Sequence, residues 1–260
     1  MTLSNFWARV EGRYQRTASQ HLARREFAMA NTVPYLSFTF DDFPRSALHC
    51  AGSMLVSRGL RGTYYTSFGL MGKQAPTGTI FVREDLEELF KHGHEIGCHT
   101  YAHCHSWDTS PSDFEASVVE NQAALERLAP GQSFGSHSYP ITCPRPGTKR
   151  RLARHFACSR GGGQLTNEGR IDLNHLRAFF LEKCLDNIAA VREAIDYNAR
   201  VCGWLILATH DVCDSPTPYG CQPEFFAEVL AHCVKSGARI LPVADAWKEI
   251  RAAQPGGRAA

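Results

Sequence analysis

The sequence predicts an α/β protein in which parallel strands are joined by helical crossovers, as a barrel or a doubly wound sheet. Three observations lead there. Strand-like and helix-like segments alternate about seven times along the chain. The segment Trp204-Leu205-Ile206-Leu207-Ala208 is continuously apolar, as a strand covered on both faces must be. A chain of 260 residues, 43% hydrophobic, has the size and core material of one such unit.

Composition narrows the function classes. Lys and Arg number 28 against 26 Asp and Glu, a net +2, which leaves no electrostatic footprint for a nucleic-acid partner. Charged residues at 21% are too few for a disordered chain. No apolar run is long enough for a transmembrane helix, and no apolar signal-peptide core follows the first residues, so a cytoplasmic protein is expected. The ten cysteines form no C-x-x-C pair and read as reduced, mostly buried small hydrophobes.

The elements follow in order. Residues 1–30 read as helical, with Phe6, Val10, Tyr14 and Ala18 on one side and a basic excess of arginines. The first reading is a helix packed on the domain with its basic face in water. The second is peripheral contact with an anionic membrane surface. A strand is expected at 35–40 after Pro34, then a helix over 45–58 stopped by Gly59 and a strand at 63–66. A helix over 83–91 precedes a short strand at 95–98. Ser110-Pro111-Ser112-Asp113 opens a helix to about 128, with a capping serine and a proline at the first position. A weak strand over 133–138, a short helix over 149–155, a strand at 156–158 and a helix over 182–200 lead to the apolar strand at 204–208. A helix over 225–235, a strand at 239–241 and a helix over 243–251 close the chain before a disordered tail.

In either architecture the chemistry belongs at the C-terminal ends of the strands, and three clusters fall there. Asp41 and Asp42 close the first strand. Adjacent carboxylates repel unless a cation or hydrogen bonds compensate them, although a helix cap beside a solvated acid is the plainer reading. His99 and His103 stand four apart, a spacing that on one helical turn presents two nitrogens to one metal ion. His92, His94 and His105 are off that register and read as structural or solvent-facing. His210 ends the apolar strand, where an imidazole can exchange a proton near neutral pH. Two histidines and one carboxylate leave open positions on a zinc ion, with one acid and one histidine to spare. That set of groups suits metal-assisted hydrolysis.

The order Thr39-Phe40-Asp41-Asp42, then His99-Thr100-Tyr101-Ala102-His103, then an apolar strand ending in His210 resembles the polysaccharide deacetylase family, carbohydrate esterase family 4, whose shared unit is the NodB homology domain. The resemblance spans roughly residues 34–250. It implies a single-domain, distorted (β/α)7-type barrel at 31–251, with an N-terminal helical extension at 1–30 and a tail at 252–260. It also implies Asp41 as catalytic base, Asp42, His99 and His103 as ligands of Zn2+ or another divalent transition metal, and His210 as general acid. Leu207 falls near the apolar position lining the acetyl pocket, the Tyr139 ring is expected either at the sugar site or in the core, and a backbone N–H near it is expected to help hold the oxyanion. The family's Arg-x-Pro-Tyr segment is matched only by Ser138-Tyr139-Pro140, without the arginine in register, which leaves Arg145 and Arg160 as the candidates to orient Asp41. Asp196 and Trp204 stand at the wrong spacing for the family's Asp-Trp motif and take no role. The implied activity is removal of N-acetyl groups from a sugar in a polysaccharide, an oligosaccharide or a lipid-linked glycan precursor, such as one for exopolysaccharide biosynthesis. An amino-sugar deformylase and an inactive carbohydrate-binding module are the alternatives.

Overall fold

The structure, a computed structural model, describes residues 3–141 and 143–254, those at 3–6, 8 and 9 by backbone alone. Its centre is an eight-stranded sheet: β1 (Tyr35–Phe40), β2 (Thr63–Thr66), β3 (Glu95–Cys98), β4 (His137–Ser138), β5 (Ser159–Arg160), β6 (Phe179–Phe180), β7 (Trp204–Thr209) and β8 (Arg239–Ile240). The spatial order is β6-β7-β1-β2-β3-β4-β5, with β8 added beside the start of β1, and every pairing is parallel. The sheet curls until its edges meet: the Arg160 guanidinium of β5 lies 5.6 Å from the Phe180 ring of β6. This is the distorted (β/α)7-type barrel.

Helices α1 (Leu3–His21), α2 (Ser53–Val56), α3 (Arg83–Lys91), α4 (Pro111–Leu128), α5 (Pro146–Leu152), α6 (Ile188–Arg200), α7 (Pro223–Lys235) and α8 (Val243–Ala252) surround the sheet. Strand alternation divides the core in two. Leu36, Phe38, Phe40, Leu205 and Leu207 pack outward against Val191 and Ile195 of α6 and Phe226 and Val229 of α7. Tyr35, Trp204, Ile206 and Ala208 pack inward with Val243 and Trp247 of α8. The β1–β7 register, Tyr35 opposite Trp204 through Phe40 opposite Thr209, is what carries Asp41 and His210 to the same end of the barrel.

Several expectations need correction. The N-terminal helix stops at His21, and Glu26–Ala28 instead forms a strand against Arg170–Asp172. Asp172 explains the break. It accepts the Arg25 N–H at 2.9 Å and the buried Lys149 ammonium at 2.7 Å, and Lys149 also caps α1 through the carbonyls of Ser19 and Leu22 at 2.8 Å. Of the apolar stripe on α1, Ala18 is buried, whereas Val10 and Tyr14 are exposed. The helix after Phe40 begins as a π-helical turn, Ala47–Gly52. The strand expected at 156–158 lies at Ser159–Arg160, and β6 was not foreseen. The helix expected from residue 182 starts at Ile188, capped by Asn187, after a 3-10 turn over Leu181–Cys184. Ser110 caps α4 as expected, accepting the Asp113 N–H. All ten cysteines are free, but only four of them are buried. The tail positions beyond residue 254 lie outside the described residues. No described helix is long and apolar enough to cross a membrane.

Candidate active site

The barrel mouth collects polar groups from the ends of five strands. Asp41 and Asp42 follow β1, His99 follows β3, Ser138 ends β4, Arg160 ends β5 and His210 follows β7. Asp41, Asp42, His99, His103 and His210 line one cavity of about 740 Å³.

The backbone turns sharply to aim the two acids apart. Asp42 and Phe43 take φ of 61° and 52°, the left-handed region that few side chains adopt without support. Asp42 is supported through its second oxygen: Thr77 Oγ1 donates to Oδ2 at 2.9 Å. Oδ1 is left buried with no hydrogen bond and faces His103 Nε2 at 3.2 Å and His99 Nε2 at 3.6 Å.

His99 and His103 do not lie on a helical turn, as their spacing suggested. They occupy an irregular loop in which Thr100 and His103 have φ of 61° and 52°. The loop is held from α4, where Ser117 Oγ accepts the N–H groups of Tyr101 and Ala102 at 3.0 and 3.2 Å. Its two rings stand 5.1 Å apart between centroids. The His99 Nδ1–H donates to the Ser138 carbonyl at 2.8 Å, which fixes the tautomer and turns Nε2 to the mouth.

Asp42, His99 and His103 each offer one ligand atom, all within 4.8 Å of one another. A carboxylate oxygen without a partner and two imidazole nitrogens converging on it make a donor set that fits a divalent transition ion, with coordination positions left open toward the cavity. Burial penalises charge here, yet the two imidazoles hold the Asp42 carboxyl well below the usual range. Burial brings His99 down to about 4, so it stays neutral and able to ligate.

Asp41 is tied to a different partner. Arg160 Nη2 donates to Asp41 Oδ1 and to Ser138 Oγ, the latter at 2.7 Å, while Ser138 Oγ in turn donates to Asp41 Oδ1 at 3.4 Å. The guanidinium rests over the Tyr65 ring at 5.0 Å. Burial alone would raise the Asp41 carboxyl, but Arg160, followed by His99 and His210, outweighs it and keeps Asp41 ionised. Arg145 lies elsewhere, with its guanidinium 5.8 Å from the Trp107 ring. His210 donates Nδ1–H to the Tyr219 carbonyl at 3.1 Å, which turns Nε2 to the cavity.

Residues 29–155 match the family model described as polysaccharide deacetylase. That stretch of the chain is similar to the polysaccharide deacetylase family. Solved structures with the same fold include a chitin deacetylase from Colletotrichum lindemuthianum, with 15% identity, a TM-score of 0.56, and coverage of 84% of this chain and 89% of that one. A family 4 acetyl xylan esterase from Clostridium thermocellum, in complex with a cobalt ion, gives 17%, 0.58, and 83% and 91%. A peptidoglycan deacetylase from Bacillus subtilis gives 14%, 0.55, and 85% and 93%. No curated protein matches the sequence.

Set beside the family pattern, the structure selects one of the two candidate arginines and alters two expectations. The cation on Asp41 comes from Arg160, on the strand after the one that carries Ser138-Tyr139-Pro140. Ser138 and Arg160 are register partners, so the guanidinium arrives at the same height. Leu207 does not reach the cavity; alternation along β7 turns it outward into the helix-facing core. The Tyr139 N–H is committed to the Arg160 carbonyl at 2.9 Å and is not free for an oxyanion. The Tyr139 ring touches the cavity wall but is 1% exposed, packed edge-on against His137 at 4.6 Å. Sequence reasoning passed over Glu182. It lines the cavity from the turn after β6, its Oε2 is buried without a hydrogen bond, and burial raises its carboxyl. A lone acid before a helix carries no signal in sequence.

Proposed function

We propose that this protein is a metal-dependent carbohydrate N-deacetylase, hydrolysing the acetamide of an N-acetylated sugar in a polysaccharide, oligosaccharide or lipid-linked glycan precursor. The observation that carries the reading is the convergence of two separate acids with separate partners on one cavity: Asp42 with His99 and His103, and Asp41 with Arg160. The match of residues 29–155 to the polysaccharide deacetylase model and the deacetylases among the chain's structural likenesses support the substrate class.

Asp42 Oδ1 and the Nε2 atoms of His99 and His103 would hold Zn2+ or a similar ion, which when bound supplies Lewis acidity and lowers the pKa of coordinated water. Asp41, held ionised and oriented by Arg160 and Ser138, accepts the proton of the attacking water at its carboxylate. His210 carries the proton delivered to the departing nitrogen on Nε2, because Nδ1 is engaged by the Tyr219 carbonyl. Acetate and a free amine leave. The surrounding burial removes competing water and strengthens each of these interactions.

The test is release of acetate from N-acetylated chito-oligosaccharides by zinc-loaded protein, with formate followed in parallel on N-formylated substrate. Asp41→Asn should lower acetate release by at least about 100-fold while keeping the metal. Unchanged release would remove Asp41 from its role, and formate release without acetate release would replace the acetyl substrate.

A further inference from the structure

The geometry points to Asp211 as a positioning residue for His210, acting through the turn that presents the Tyr219 carbonyl; this rests on the reading of His210 as the proton donor. That carbonyl accepts twice from one residue, from the His210 backbone N–H at 3.3 Å and from the ring Nδ1–H at 3.1 Å. Backbone and imidazole are thus tied to the same oxygen. Nδ1 keeps its proton in the neutral ring as well as in the imidazolium, so the proton gained and given up in turnover is the one on Nε2, which faces the cavity.

The hold on the Tyr219 carbonyl comes from Asp211. Residues 213–219 form no helix or strand and none of them is buried, so the turn must be fixed from beneath. Asp211 is 3% exposed. Its Oδ2 accepts the Thr217 N–H at 2.7 Å and its Oδ1 accepts the Thr217 hydroxyl at 2.6 Å. Pro216 and Pro218 have no N–H, so Thr217 alone in that stretch can donate from the backbone. Thr217 passes the constraint on. Its Oγ1 accepts the Tyr219 N–H at 3.3 Å and its carbonyl accepts the Gly220 N–H at 3.1 Å. Gly220 sits directly on Asp211, where a Cβ would overlap the carboxylate and the carbonyl oxygen. The Asp211 carbonyl completes the enclosure by accepting the Cys221 N–H at 3.0 Å.

The role is one of geometry rather than charge. The carboxylate oxygens are engaged by Thr217, with the Cys213 thiol donating to Oδ2 at 3.8 Å, and not by the imidazole. Two substitutions separate the possibilities. Asp211→Asn removes the charge but keeps both contacts, because its amide oxygen accepts the Thr217 N–H and its amide N–H donates to Thr217 Oγ1. Asp211→Ala loses both. Thr217→Val keeps the backbone contact and loses the hydroxyl.

The experiment is long-range proton–nitrogen NMR of the zinc-loaded full chain with isotope-labelled histidine, which reads the tautomer of each neutral imidazole, together with steady-state acetate release from N-acetylated chito-oligosaccharides. His210→Gln assigns the signal. His94 accepts the Gly62 N–H on Nδ1, so its proton is on Nε2, and its signal reports the fold in every variant. Wild type and Asp211→Asn should show His210 with Nδ1–H only, and their kcat values should agree within about threefold. Asp211→Ala should shift His210 toward the Nε2–H form and lower kcat at least about tenfold, with KM changed less. Thr217→Val should act in the same direction to a smaller degree. A wild-type tautomer in Asp211→Ala, or in Thr217→Val should the alanine variant lose the His94 signal, would overturn the inference. So would an Asp211→Asn variant as impaired in kcat as Asp211→Ala, because the carboxylate would then act by charge. A wild type without deacetylase activity but with the expected tautomers would instead refute the reading of the site and leave the hold of Asp211 on His210 standing.

Discussion

The Arg160–Asp41 pair makes a quantitative prediction about stability as well as chemistry. Asp41 is 4% exposed and Arg160 1%. Replacing Arg160 by Met keeps most of the volume over the Tyr65 ring but leaves a buried carboxylate with only Ser138 as hydrogen-bond donor. Removing one partner of a buried ion pair costs about 3–5 kcal/mol, which with a urea m-value of about 3 kcal/mol/M lowers the midpoint by about 1–1.7 M. The assay is urea unfolding at neutral pH with chelator throughout, on wild type, Arg160→Met, Asp41→Asn and the double variant. In the Asp41→Asn background the same Arg160→Met change should cost at least about 1 kcal/mol less, because no carboxylate is stranded. The pH sign follows from the depressed Asp41 carboxyl. Its contribution is present above the unfolded-state pKa and is lost as pH falls through the lower folded-state value, so the gap between wild type and Arg160→Met is widest near neutrality and narrows below about pH 4. A cost under about 1 kcal/mol, or an equal cost in both backgrounds, would refute the reasoning.

Two further outcomes follow from groups away from the mouth. His94 is buried, accepts the Gly62 N–H on Nδ1 at 3.0 Å, and is brought down to about 4 by burial. The unfolded chain therefore binds a proton first as pH falls, and stability drops between about pH 6.5 and 4 by roughly 3 kcal/mol from this residue. His94→Asn, which keeps an acceptor and does not titrate, should flatten that part of a urea-midpoint profile, and an unaltered slope would contradict the assignment. At Gly97, a Cβ would overlap the ring of Tyr65, which lies beneath Arg160. Gly97→Ala should cost about 1–3 kcal/mol, and a thermal midpoint equal to wild type would show that the ring can yield.

The long buried strands were legible in the sequence because their composition has one reading: 35–40, 63–66, 95–98 and 204–208 are all observed within a residue. The two-residue strands were not. Phe179–Phe180 and Ser159–Arg160 exist because neighbouring strands offer them a parallel ladder, a fact external to their own residues. The same holds at the site. Asp41, Asp42, His99, His103 and His210 were visible as motifs at strand ends, yet the local argument for the histidine pair was wrong. A helical turn was expected, and a loop anchored by Ser117 brings the rings together instead. Arg160 could not be chosen over Arg145 without the register that sets it opposite Ser138. Thr77 and Glu182 reach the cavity from turns that carry no periodic pattern.

Cobalt(II) titration of metal-free protein reads, without any substrate, whether Asp42, His99 and His103 share one ion. Visible absorption should saturate at one equivalent per chain, be displaced by zinc, and vanish in both His99→Ala and His103→Ala while Asp41→Asn still binds. Cobalt spectra and stoichiometry unchanged in the two histidine variants would contradict it.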